Sequence, residues 1–145
     1  MSFSVTEAVV CSVVELPRSR SCTCEVWVDE NCSRLCMKAG NTFSGWAFEE
    51  GSHNQTSSWK HLFKRTVVPG SLPSAPVKAE ISPLNSFLLL VYQEMPAIHL
   101  LSTCDEGSIF GLSGYDSRSL AKQGAAWINE TTLLVVCKEY VHVYA

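Results

Sequence analysis

The residues best suited to chemistry in this 145-residue chain are four thiols near its start, Cys22, Cys24, Cys32 and Cys36. As thiolates, four such groups can surround a zinc ion tetrahedrally. Their pattern is C-x-C followed by C-x3-C, whereas structural zinc sites favour paired C-x2-C knuckles. In a strand, Cys22 and Cys24 share one face, which permits joint ligation without demanding it. The competing reading is packing, because a reduced cysteine behaves as a small hydrophobe. A small zinc-binding β domain built on these four residues is therefore one expectation.

The other reactive groups are scattered. Four histidines occur, at 53, 61, 99 and 142, and none has a nucleophile placed beside it, as a Cys–His pair requires. The neighbouring carboxylates Glu49-Glu50 and Asp105-Glu106 fall in turn-like stretches, where solvated tips are the ordinary outcome. Gly107, Gly111 and Gly114 fit no phosphate-cradling pattern. Gly111-Leu112-Ser113-Gly114 lacks the spacing of a serine elbow. No catalytic residue or organic cofactor is expected. The four tryptophans, Trp27, Trp46, Trp59 and Trp127, belong in cores or contact surfaces. Trp59, beside a polar loop and Lys60, is the one expected to meet a partner.

The elements that must hold these groups are strands. Val5 to Val14, Cys22 to Val28, Thr42 to Phe48 and Trp59 to Val68 carry strand-type patterns, with turn residues between them. Ser33 to Lys38 fits a strand or a short helical turn. Three prolines in residues 69–76 exclude regular structure and divide the chain into units 1–68 and 77–145. The second unit gives strands at Val77 to Ile81, Phe87 to Tyr92, Ala97 to Ser102, Ser108 to Leu112, Ala125 to Ile128, Leu133 to Cys137 and Tyr140 to Tyr144. No stretch of ten residues keeps a helical period.

That second unit repeats. Phe87-Leu88-Leu89-Leu90-Val91-Tyr92-Gln93-Glu94 matches Thr132-Leu133-Leu134-Val135-Val136-Cys137-Lys138-Glu139 at a shift of 45 residues. Ala97 to Leu101 then answers to Tyr140 to Tyr144, setting His99 against His142. About four strands in such a period is the pattern of a propeller blade. In strand order and spacing the chain resembles the WD40-type β-propeller family, without that family's Gly-His turn or Trp-Asp dipeptide. The resemblance implies antiparallel four-stranded blades, apolar on both faces because each stacks on its neighbours. Residues 1–68 would form a first blade and residues 77–145 two more, the last incomplete. The fold expected is all-β, an incomplete β-propeller, with a β-sandwich as the alternative.

Composition narrows the function. Charged residues make up 17% of the chain, below the usual quarter, which implies surface buried against something else. The net charge of −3 and the short basic stretch Lys60 to Arg65, read as the solvent side of a strand, argue against nucleic acid. No apolar run reaches the length of a membrane helix, and the first residues make a poor signal peptide. An intracellular, cytoplasmic setting is expected, and the three glycosylation sequons read as coincidence. The odd count of seven cysteines also argues against a disulfide framework. The functional expectation is a non-catalytic protein–protein interaction module or scaffold subunit, its partners being other protein chains or further copies of itself.

Overall fold

The computed structural model describes residues 24–51, 58–73, 75–104 and 109–145. The expected strand from Val5 to Val14 lies outside them. The described residues form β1 (Cys24–Val28), β2 (Arg34–Ala39), β3 (Thr42–Glu49), β4 (Ser58–Thr66), β5 (Lys78–Ile81), β6 (Phe87–Tyr92), β7 (Ala97–Ser102), β8 (Ile109–Gly111), β9 (Leu120–Asn129), β10 (Thr132–Cys137) and β11 (Val141–Tyr144). A 3-10 turn at Ser117–Ser119 precedes β9. The protein is all-β. Its strands make three antiparallel meanders, β1-β2-β3-β4, β5-β6-β7-β8 and β9-β10-β11. These are called here the first, middle and third sheets.

The sheets stack in chain order, and β6 shows why. Its residues Leu88 to Tyr92 are apolar without a break, so both of its faces need cover. Leu88, Leu90 and Tyr92 enter one core with Cys36, Phe43 and Phe63 of the first sheet. Leu89 and Val91 enter a second core with Leu120, Ala125, Leu133 and Val135 of the third. All five of these β6 residues are at most 1% exposed. The middle sheet is thus the filling between two others, and β5 touches both β1 and β9, aligning the first strands along one margin. We call the face toward the next sheet in chain order forward and the opposite face back.

Two turns show that the first and middle sheets repeat each other beyond strand order. In the β1–β2 turn the Cys32 N–H donates to the Asp29 carbonyl at 2.9 Å, and in the β5–β6 turn Asn85 N–H donates to Ser82 carbonyl at 2.9 Å. Cys32 (φ 56°) and Asn85 (φ 67°) both adopt the left-handed conformation, which asparagine tolerates and cysteine rarely takes. The first side chain of each turn then closes it. Asp29 Oδ1 accepts from Arg34 N–H at 3.1 Å, and Ser82 Oγ accepts from Phe87 N–H at 3.0 Å. Arg34 and Phe87 are therefore equivalent, 53 residues apart. Cys36, Leu89 and Leu134 become the matching forward positions of the three sheets, and Met37, Leu90 and Val135 the matching back positions.

Two local expectations are corrected. β9 begins at Leu120, inside a stretch that reads as polar, because Leu120 is buried in the second core and pairs with Cys137. The register slips between Val135 and Cys137 to accommodate it. At Gly124, within this irregularity, an added Cβ would lie 2.6 Å from the carbonyl oxygens of both Ala121 and Val136, so glycine is required there. Arg65, read as part of a solvent-facing basic stretch, is only 3% exposed. It lies on the forward face of β4 and donates from Nη1 to the carbonyl of Ser102 on β7, joining the first sheet to the middle one.

Candidate partner-binding faces

Of the four cysteines expected to share a metal, Cys24 and Cys36 lie on opposite faces of the first sheet. Cys24 pairs with Ala39, and Cys36 pairs with Trp27. Alternation along β1 therefore puts Cys24 on the back face, with Val26 and Val28. Cys36 faces forward, 1% exposed in the core shared with the middle sheet. Burial pushes its thiol up to about 12, against the thiolate that a metal needs. Cys32 is exposed at the left-handed position of the β1–β2 turn, and Cys22 lies outside the described residues. Among the described residues no three His, Cys, Asp or Glu side chains converge as a metal site would require.

The repeated histidines occupy matching places. His99 stands opposite Leu90, and His142 opposite Val135, so the register reproduces the equivalence read from the sequence. His99 packs edge-on to Tyr92, with ring centroids 5.8 Å apart, and burial lowers its pKa. His142 sits between Tyr140 and Tyr144, at 6.1 and 6.2 Å. His99 thus packs on one aromatic ring and His142 on two.

The contact between β5 and β9 is made by side chains where a backbone ladder is absent. Glu80 Oε1 accepts from Trp127 N–H at 2.9 Å, and the Glu80 carbonyl accepts from Trp127 Nε1 at 3.0 Å. Lys78 Nζ donates to the Ala125 carbonyl at 2.7 Å and lies 3.1 Å from Glu80 Oε2. The charged pair occupies backbone groups on the edge of β9 that would otherwise invite another strand. One turn along, Glu130 accepts from Ser82 Oγ at 2.9 Å and Leu84 N–H at 2.5 Å. Arg34 donates to the Pro83 carbonyl from the other side. The sequence signalled none of these, because the partners are far apart in the chain and of unremarkable type. Beyond the Phe87–Trp127 contact, the middle and third sheets part into an apolar groove of about 260 Å³, lined by Leu100, Leu112, Leu133 and Tyr144 among others.

Two broad apolar faces remain at the ends of the stack. Pairing places Ala126, Ile128, Leu134, Val136, Val141 and Val143 on the forward face of the third sheet. Ile128, Val141 and Val143 are 54%, 61% and 62% exposed. On the back face of the first sheet lie Val26, Val28, Leu35, Met37, Trp46, Phe48 and Trp59. Val26 and Val28 are exposed and Met37 is buried. Trp59, expected from the sequence to meet a partner, is half-buried here against Phe48, with centroids 5.4 Å apart. Trp46 packs in the same way on His61, also at 5.4 Å. These faces can bind by apolar burial and shape. Among the described residues no helix is long and apolar enough to cross a membrane. Comparison with protein-family models, with curated proteins and with solved structures returned no match.

Proposed function

We propose that the chain is a non-catalytic protein–protein interaction module, a scaffold of stacked propeller-like blades that works within a larger intracellular assembly. The observation that carries this reading is the row of aliphatic side chains on the forward face of the third sheet. Soluble surfaces rarely keep contiguous apolar area unless something binds there. Affinity would come from burying these side chains, at roughly 25 cal/mol per Å² before the cost of association is subtracted. The WD40-type resemblance supports the same role, since blades of that kind present rigid sheet frames and loops to partners. The matching turns of the first and middle sheets and the matching histidines of the middle and third add to it.

The test is photo-cross-linking. A benzophenone amino acid in place of Val143 should form adducts with protein on irradiation in cells expressing the full chain. The same group in place of exposed Met95, in the turn between β6 and β7 of the middle sheet, should not. If position 143 forms no protein adduct, the interaction reading fails.

A further inference from the structure

The groove between the middle and third sheets has walls and a rim that select a ligand. Leu133 stands opposite Trp127 on one side and Tyr144 on the other, so these three form a row across the back face of the third sheet. Phe87, Leu100 and Leu112 face that row from the middle sheet. All but Leu133 are half-buried, which leaves aromatic and aliphatic surface open to a ligand. Glu130 is the charged side chain at the rim. Four donors of the β5–β6 turn hold its carboxylate: Ser82 Oγ at 2.9 Å, Leu84 N–H at 2.5 Å, and the hydroxyl and amide of Ser86. Such bonds favour the ionised form, and among the described residues no lysine or arginine pairs with it.

We propose that this groove receives an N-trimethylated lysine side chain of a partner protein. Size, donors, charge and lone pairs each narrow the ligand. The groove holds about 260 Å³, short of the roughly 300 Å³ at which small-molecule pockets begin, so it suits one side chain. Its side-chain donors are all committed: Trp127 Nε1 to the Glu80 carbonyl, the Tyr144 hydroxyl to the Ser113 carbonyl at 2.9 Å, and Thr131 Oγ1 to Asn129 Oδ1 at 3.2 Å. A phosphate or carboxylate therefore finds no side-chain donor there, and Glu130 repels it. A cation is drawn both by Glu130 and by the faces of the aromatic rings. A primary ammonium brings three N–H donors, whereas the four bonds already made fill the acceptor sites of the carboxylate. It would also have to shed tightly held water. A trimethylammonium brings no donor and takes only charge and apolar contact, which this groove supplies.

The proposal rests on the interaction reading for its class of partner but uses a different surface, so the two fail separately. The test is a peptide library with randomised flanks around one trimethyl-lysine, passed over the immobilised full chain. Two control libraries carry unmodified lysine and the uncharged isostere with carbon in place of the quaternary nitrogen. The trimethyl-lysine library should be retained about tenfold more strongly than either control, in keeping with a cation–π contact shielded from water. Glu130→Gln, which keeps an oxygen for the Leu84 N–H, and Leu112→Trp, which fills the groove, should each remove that difference while the thermal melt stays cooperative. Equal retention of unmodified lysine overturns the methylated ligand. Equal retention of the isostere shows an uncharged slot and overturns the cation. A preference that survives Leu112→Trp places the peptide elsewhere and overturns the groove. If no library is retained, the proposal falls, and an adduct from position 143 then leaves the interaction reading standing. A clear preference with no adduct at position 143 keeps the groove and removes the end face as the binding surface.

Discussion

At the level of single residues, the thiols illustrate how position decides chemistry. Cys36 and Cys24 differ by the parity of their strands. One points into a dry core and the other to the opposite face, so the same residue type is inert in one place and accessible in the other. Cys36 titrates only near 12 because burial penalises its thiolate, so raising the pH from 7 to about 9 leaves it protonated, by the usual spacing of a thiol from its pKa. Alkylation followed by peptide mapping should label exposed Cys32 and Cys104 in the native protein. Cys36 should stay unmodified across that pH window and react only once denaturant is added. Native labelling of Cys36 at a rate matching Cys104 would mean that the core between the first and middle sheets opens. The purified chain should also lack a zinc ion held by this cluster, which metal analysis by mass spectrometry checks directly. Stoichiometric zinc released only when Cys24 and Cys36 are both alkylated would contradict the separation of the two thiols.

At the level of elements, strand identity was legible because burial on one or two faces writes itself into the pattern. Phe87 to Tyr92 announces a doubly covered strand, and Thr132 to Cys137 announces its counterpart. Ser33 to Lys38 left strand and turn open because Arg34 and Lys38 interrupt its apolar residues, and pairing on both sides with β1 and β3 decides it. The sequence was silent about how sheets meet edge to edge. Leu120, in a largely polar stretch, gave no period, and Lys78 and Glu80 read only as part of the strand from Val77 to Ile81. Their actual task is to satisfy Ala125 and Trp127 on β9. Glu80→Ala should therefore cost about 1–3 kcal/mol, the penalty for leaving the part-buried Trp127 N–H without its acceptor and the Lys78 ammonium without its carboxylate. Glu80→Gln, which keeps an oxygen for Trp127, should lose less. Chemical denaturation of the two variants checks the order. Equal losses would show that the Trp127 contact contributes nothing.

For the whole molecule, the decisive feature is that the middle sheet belongs to two cores at once. Leu89 and Leu90 are adjacent in sequence, both fully buried, and point in opposite directions, Leu89 toward the third sheet and Leu90 toward the first. Neither core can dissolve while the other keeps β6 in place, so the three sheets should unfold in one cooperative transition. Leu89→Ala and Leu90→Ala should each cost about 2–5 kcal/mol, from lost transfer energy plus the cavity left behind. Their effects should reach beyond the mutated core. Hydrogen exchange offers the sharpest check, because Leu89→Ala touches only the interface with the third sheet. In a cooperative stack, that variant lowers the protection of Phe43 and Gly45 amides in β3 by the same free energy as it lowers that of Leu133 and Val135 in β10. If β3 keeps its protection while β10 loses its own, the sheets are separate folding units that happen to touch. The end faces would then be surfaces of independent blades, and a partner laid on the third sheet could not stabilise the first. Equal loss in both strands would mean the reverse: burying Val143 under a partner raises the stability of the β1–β4 meander two sheets away.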